Sequence, residues 1–455
     1  TQEPTQAGVV RLASTTLEGP GSAALVVLPG AEAAPREIPL EGARPAQVDV
    51  GSAVVVRATG DSAPGLVAVQ GPAQAATPSR PREEPQSVES AAGFVGCQEP
   101  TAEHWFTGVG AAARHASTLV VVNPDPGTAV VDVEVLSSSG VIDVPSLRGV
   151  AVPAHSVARL DLAALVPRRG QLALHATVSR GRLGVFVEDR VDDLGRLPVR
   201  TAWLAGQSAP ATASIVTGAG GGPGSNTLVV ANGGDSEARV GVQLMTSDSS
   251  FAPAGLAEVR VPPRTVTEVA LGALAEPTRV GVVGVRVESS EPITATLRSV
   301  SPRQLSVLTA AEPIGAPGAD TGGSSAAVLV PAGLTGADKP KDDKPGDPKP
   351  GDPKPVVVLA SVSGTNEVLV RQFSASGAVL GEAPLSVPAE HAVILAVDPD
   401  TAWLQVEVTE SATSAVVGAL QWREAQGFAA LPLQSLATSA LVPEVGPAND
   451  AVPGN

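Results

Sequence analysis

The 455 residues carry a formal charge of −16 and are 43% hydrophobic, enough apolar surface for folded cores and therefore not a disordered chain. The acidic balance argues against nucleic acid and against anionic membrane surfaces, both of which demand basic patches. A single cysteine, Cys97, excludes an intrachain disulfide, and no run of 18 apolar residues is present, so no transmembrane helix is expected.

The composition favours strands. Val, Leu and Ala dominate the apolar set, Tyr is absent, and 48 Gly and 42 Pro punctuate the chain, so short strands joined by turns are expected rather than long helices. The polar start Thr1-Gln2-Glu3-Pro4 fits an exported chain that has lost a leader or an anchor. Residues 1–75 read as a reduced β module, with strand candidates around Val48, Val55 and Val67. Residues 76–99 read as a tether, rich in Pro, Glu and Ser. Near its end, Phe94-Val95-Gly96-Cys97 has no apolar stretch before it to make a lipidation signal, so Cys97 is read as a small buried or half-buried thiol.

From residue 100 the chain repeats itself. Thr118-Leu119-Val120-Val121-Val122-Asn123 matches Thr227-Leu228-Val229-Val230-Ala231-Asn232, and Val152-Pro153 matches Val261-Pro262. These pairs, and Val178 with Val287, are all 109 residues apart. A third copy shows the same step at Val387-Pro388. The copies span 100–210, 211–318 and 325–440, and residues 441–455 read as a disordered tail. Within each copy the period is two: Val131, Val133 and Val135 alternate with Asp132 and Glu134, as in a sheet with one buried face. The fold class is therefore all-β, a tandem array of Ig-like antiparallel β-sandwich modules. A β-propeller with two blades per copy is the alternative.

Inside the third copy lies a foreign segment, 338–355, that holds all five lysines of the chain with five Asp and six Pro. Such spacing of Pro favours extended polyproline II, hence a stiff spacer, here inserted in the first loop of that module.

The run Trp105-Phe106-Thr107-Gly108-Val109-Gly110, followed by Val122-Asn123-Pro124 and the Val-Pro step, resembles a recurrent bacterial extracellular Ig-like module. The whole chain also resembles an uncharacterised actinobacterial envelope-protein family of unknown function, sometimes labelled exoprotein. That resemblance implies an extracytoplasmic address and brings no catalytic residues with it.

Chemistry is sparse. The five histidines, His104, His115, His155, His175 and His391, lack partners at metal-ligand spacing. His155 and His391 are expected in exposed turns, and His175 on a surface. The run Gly218 to Gly224 lacks the Lys-Ser/Thr of a phosphate cradle. The cluster Glu188-Asp189-Arg190-Val191-Asp192-Asp193 offers four carboxylates near a module junction but is expected to be a solvated hairpin rather than a calcium site. Trp105, Trp203, Trp403 and Trp422 are expected in cores. No catalytic, cofactor or metal site is assigned. The expected role is a non-catalytic structural or binding protein of a bacterial cell envelope, extracellular or at the cell surface. A partner of a membrane cell-wall or polysaccharide assembly enzyme is the second reading, and a hydrolase a distant third. The expected partner is a protein or a cell-wall polymer. Membrane contact is expected only through an anchor outside this chain.

Overall fold

The computed structural model describes residues 8–15, 20–29, 35–72, 93–207, 209–219, 225–253, 255–256, 258–272, 281–302, 304–314, 322–331, 334–335, 355–410, 416–424 and 427–437. The spacer 338–354, residues 76–92 of the tether, the run 220–224 and the tail lie outside them.

The first module consists of β1 (Gly8–Ser14), β2 (Pro20–Leu28), β3 (Arg36–Glu41), β4 (Ala46–Val50), β5 (Ala53–Ala58), β6 (Leu66–Pro72) and β7 (Val95–Gly96). The second has β8 (Glu103–Ala112), β9 (His115–Val122), β10 (Ala129–Ser137), β11 (Gly140–Ile142), β12 (Val150–Val152), β13 (Val157–Asp161), β14 (Arg169–Arg180), β15 (Gly184–Val191) and β16 (Arg200–Ala205). The third has β17 (Ala211–Thr217), β18 (Ser225–Asn232), β19 (Ala238–Met245), β20 (Ser250–Phe251), β21 (Val259–Val261), β22 (Thr265–Ala270), β23 (Gly284–Val300) and β24 (Leu305–Thr309). The fourth has β25 (Gly322–Leu329), β26 (Val356–Ser361), β27 (Asn366–Ser374), β28 (Val379–Val387), β29 (Val393–Ala396), β30 (Thr401–Glu410), β31 (Val416–Glu424), β32 (Gly427–Pro432) and β33 (Gln434–Ala437). All the pairings between these strands are antiparallel, and the chain is an all-β assembly of sandwich modules.

Alternation explains the cores. In β10, Val131, Val133 and Val135 are buried while Val130, Asp132 and Glu134 are half-exposed; in β19, Val240, Val242 and Leu244 are buried while Arg239, Gly241 and Gln243 are exposed. Facing positions of the two sheets interdigitate into one core per module.

Topology shows what the repeat preserves. The fourth module has sheets β28-β27-β30-β25-β33 and β29-β26-β31-β32. In the second module one nine-stranded sheet folds over at the β8–β9 hairpin, so that β10, β14 and β8 stand in the places of β27, β30 and β25, and β13, β9, β15 and β16 in those of the fourth module's other sheet. The third module follows the same scheme, with the long β23 running through both sheets. The first module has sheets β4-β1-β6-β7 and β3-β2-β5. It matches the fourth without β27, β28 and β32 and with β7 added beside β6: β3-β2-β5 stands for β29-β26-β31, and β4-β1-β6 for β30-β25-β33. The spacer joins β25 and β26, which lie in the two sheets of that one module.

Two expectations change. The offset of 109 holds for Asn123 and Asn232 and for β13 and β22, then lapses: Val131 faces Val178, but Val240 faces Ser289 rather than Val287. The pairing of Val178 with Val287 is thus a likeness of sequence and not of place. The end of the tether also belongs to the fold. Val95 and Gly96 pair with Gln70 and Val69, and the Cys97 amide donates to the Ala68 carbonyl, because the apolar Phe94-Val95 pair covers the edge of β6. Burial pushes the Cys97 thiol up to about 12.

The modules do not hang as beads on a string. The outer face of the β10-β14-β8 sheet packs on the β22-β18 sheet of the next module through Trp105, Leu136, Ala173, Val229, Ala231 and Val266. The third and fourth modules meet in the same way, through Ile215, Met245 and Val283 against Val358, Ala360 and Val417. The first module fills the remaining gap. Its β2-β5 sheet packs Leu28 and Val55 on Val120, Val122 and Trp203, and its other sheet packs Val67 and Val69 on the fourth module. Four modules therefore close a ring with four junctions. Small-angle scattering should give a radius of gyration near the roughly 22 Å of a compact chain of this length; a value about twice that would show an open string and sink the ring.

Candidate functional site

Among the described residues, the densest chemistry lies where the second and third modules meet. Asp189 is fully buried, on the same parity of β15 as the core residues Val185 and Val187. Its Oδ1 accepts from Ser117 Oγ at 2.5 Å and from His115 Nε2 at 2.8 Å. Because a carboxylate only accepts, His115 must carry its proton on Nε2. Oδ2 accepts from Arg298 Nη2 of the next module at 2.7 Å. Burial alone would raise the Asp189 pKa, but the charge of Arg298, with the hydrogen bonds from His115 and Ser117, holds it well below the usual carboxylate range.

Two glycines of the Trp105–Gly110 run make room for this cluster. Gly108 has φ +82° at a bulge in β8, and a Cβ there would sit 3.1 Å from Arg298 Cδ. The bulge is the opening through which the guanidinium reaches the core of the second module. A Cβ on Gly110 would lie 2.4 Å from His115 Nδ1, and the Gly110 amide donates to Ser117 Oγ at 2.9 Å.

Ser, His and Asp together invite comparison with a nucleophilic triad, and the geometry is different. In a triad the base takes its proton from the nucleophile and is itself oriented by the acid. Here Ser117 donates to the carboxylate rather than to the imidazole, and the carboxylate is sealed from solvent. The cluster can hold two modules together; it cannot present a nucleophile.

Other residues at the junctions act alike. Gln207 donates to the Ala295 carbonyl at 3.0 Å and to Thr296 Oγ1 at 2.6 Å. Its counterpart 109 residues earlier, Gln98, both donates to and accepts from the Gly206 backbone at 3.0 Å. Arg286 donates to the carbonyls of Val362, Ser361 and Ala389 in the fourth module. Trp403 Nε1 donates to the Ala43 carbonyl at 2.7 Å, and the ring stacks on Phe373. The two Thr-Ala-Trp-Leu segments, 201–204 and 401–404, thus place Trp203 and Trp403 against the first module from its two sides.

Within modules, the repeated Asn explains the repeated Val-Pro. Asn123 is fully buried, and its Nδ2 lies 2.8–2.9 Å from the carbonyls of Gly127, Val152 and Pro153. Asn232 does the same to Ser236, Val261 and Pro262.

The remaining predicted residues are scattered. His104 is buried against the Leu183 carbonyl, and burial lowers its pKa. His175, expected on a surface, is half-buried: it stacks on Trp105 and shares Glu103 with the indole. His155 (φ +47°) and His391 are half-buried in their turns. Trp105, Trp403 and Trp422 are buried, and Trp203 is half-buried. The acidic run 188–193 is not the solvated hairpin expected, because Asp189 points into the core and Asp193 pairs with the buried Arg200. Among the described residues no group of three or more His, Cys, Asp or Glu could hold a metal ion, and no helix is long and apolar enough to cross a membrane. A pocket of about 100 Å³ between the first and fourth modules, lined by Arg11, Val69, Phe94 and Val330, is well below the roughly 300 Å³ of small ligand sites.

No curated protein matches the sequence. A family model described as a family of unknown function, DUF5719, matches residues 43–398. That is well over half of the chain, and the chain belongs to this family.

Proposed function

We propose that the protein is a non-catalytic structural or binding component of a bacterial cell envelope, secreted or held at the surface, of the kind found in actinobacterial exoproteins. It holds Ig-like modules in fixed mutual positions, so that loops and strand edges of different modules are presented together. One observation carries the reading: the fully buried carboxylate Asp189, bound by Ser117, His115 and Arg298, is spent on a junction between modules. Perturbed groups of a catalytic site lie in clefts, where substrate reaches them; this one is sealed.

A second reading, an accessory partner of a membrane enzyme of cell-wall or polysaccharide assembly, is favoured by the long exposed edge of β28. Fractionation of the native organism, followed by crosslinking and capture from the envelope fraction, tests both. Recovery in the envelope or the medium with several wall components supports the first reading, and a single stoichiometric membrane enzyme supports the second. Recovery in the cytoplasm overturns both.

A further inference from the structure

The ring consumes sheet faces and leaves edges. In the second and third modules the strand that borders β10 or β19 is broken into short pieces, β11 with β12 and β20 with β21, of two or three residues each. Broken edges protect a sheet against unwanted pairing. In the fourth module the same place is held by β28, nine continuous residues with one bulge at Leu380, which pair with β27 and with no other described strand.

The register says which groups are free. Pro384 faces Leu369 in the ladder and has no amide hydrogen, so amides at its parity point away from β27. The N–H groups of Glu382 and Ser386, and the carbonyls of Glu382, Pro384 and Ser386, therefore line the open side. The row holds more acceptors than donors. Val379 and Leu380 are 53% and 40% exposed at its start. The Gln372 side chain of β27, opposite Gly381, reaches the Ala396 carbonyl at 3.3 Å, which ties the end of β29 to this sheet.

The charge along this stretch of the chain is one-sided. Residues 366–410 contain seven carboxylates and a single arginine, and that arginine, Arg371, is bound to Glu382 and Glu407. Glu367, Glu382, Glu390, Asp398 and Asp400 are exposed.

We propose that β28 is a docking edge for an extended, basic segment of a partner protein, which adds to the sheet as a further strand. Main-chain bonds to the open row give affinity, alternate apolar side chains cover Val379 and Leu380, and the lysines or arginines between them meet the carboxylates. This deepens the binding reading above and rests on it.

The test uses the full chain, isotope-labelled, and an alternating Lys-Val decapeptide. The peptide is expected to bind with backbone shifts confined to β28 and its neighbours, to weaken as salt is raised, and to be replaced by no binding when Glu takes the place of Lys. Ser386→Pro removes an outward amide, as Pro384 already does, and should weaken binding at least tenfold. Leu380→Lys changes only an exposed side chain and should also weaken it, which keeps the test decisive if Ser386→Pro fails to fold. No binding of the Lys-Val peptide, equal binding by both variants, or shifts elsewhere would overturn the proposal. So would a dimer of the chain alone that Leu380→Lys dissolves, since the edge would then belong to a second copy. Envelope recovery with a silent peptide sinks the edge alone; cytoplasmic recovery sinks the envelope reading and leaves the peptide result standing.

Discussion

Replacing Arg298 with methionine should destabilise the folded chain by about 3–5 kcal/mol, because it leaves Asp189 charged, buried and without its cation. Ser117 and His115 remain, but hydrogen bonds alone do not repay the desolvation of a sealed carboxylate. Adding Asp189→Leu to that variant should recover a large part of the loss, since an apolar pair of similar volume carries no desolvation penalty. Denaturant unfolding followed by tryptophan fluorescence suits the measurement, with Trp105 at the same junction. A loss below about 1 kcal/mol would mean that the guanidinium is solvated and the cluster open. The same pair sets a pH dependence. Asp189 titrates lower in the fold than in the unfolded chain, so its contribution is complete above the unfolded value near 3.9 and is lost as the pH falls through the folded one. Wild-type stability should therefore decline below about pH 4 by more than that of the doubly substituted chain.

Asn123→Ala should cost about 2 kcal/mol, since the buried Val152 carbonyl and the partly buried carbonyls of Gly127 and Pro153 lose the side-chain amide that they share. Asn232→Ala should cost a similar amount in its own module. Asn123→Asp is the sharper variant. It keeps the shape but presents a carboxylate to three carbonyls, and it should be at least as damaging as alanine; a neutral effect of Asn123→Asp on thermal unfolding would show that the amide is not the tie between the turn and the Val-Pro step.

Much of the fold is legible because a sandwich writes its buried face into alternate positions. The same rule applied to β15 places Asp189 on the parity of Val185 and Val187, so its burial could have been read from the sequence. Counting the carboxylates of 188–193 together hid this, because neighbours in a strand face opposite ways. Arg298 carried a weaker signal, one charge in the otherwise uncharged run from Pro292 to Val300. That it should meet Asp189 depends on how two modules pack, and no local pattern encodes that. The ring was illegible for the same reason. Trp203 and Trp403 advertise burial by type, but what buries them is a module more than a hundred residues away in sequence.

Closure of the ring also changes how the molecule can come apart. A linear array frays from its terminal repeats, each held by one neighbour, and needs polar caps to end it. Here every module has two neighbours, and the reduced module is the one wedged between the first and last full copies. Opening any one module exposes two interfaces at once. The four should therefore melt together, as a single cooperative unit, where a row of independent domains would melt one by one.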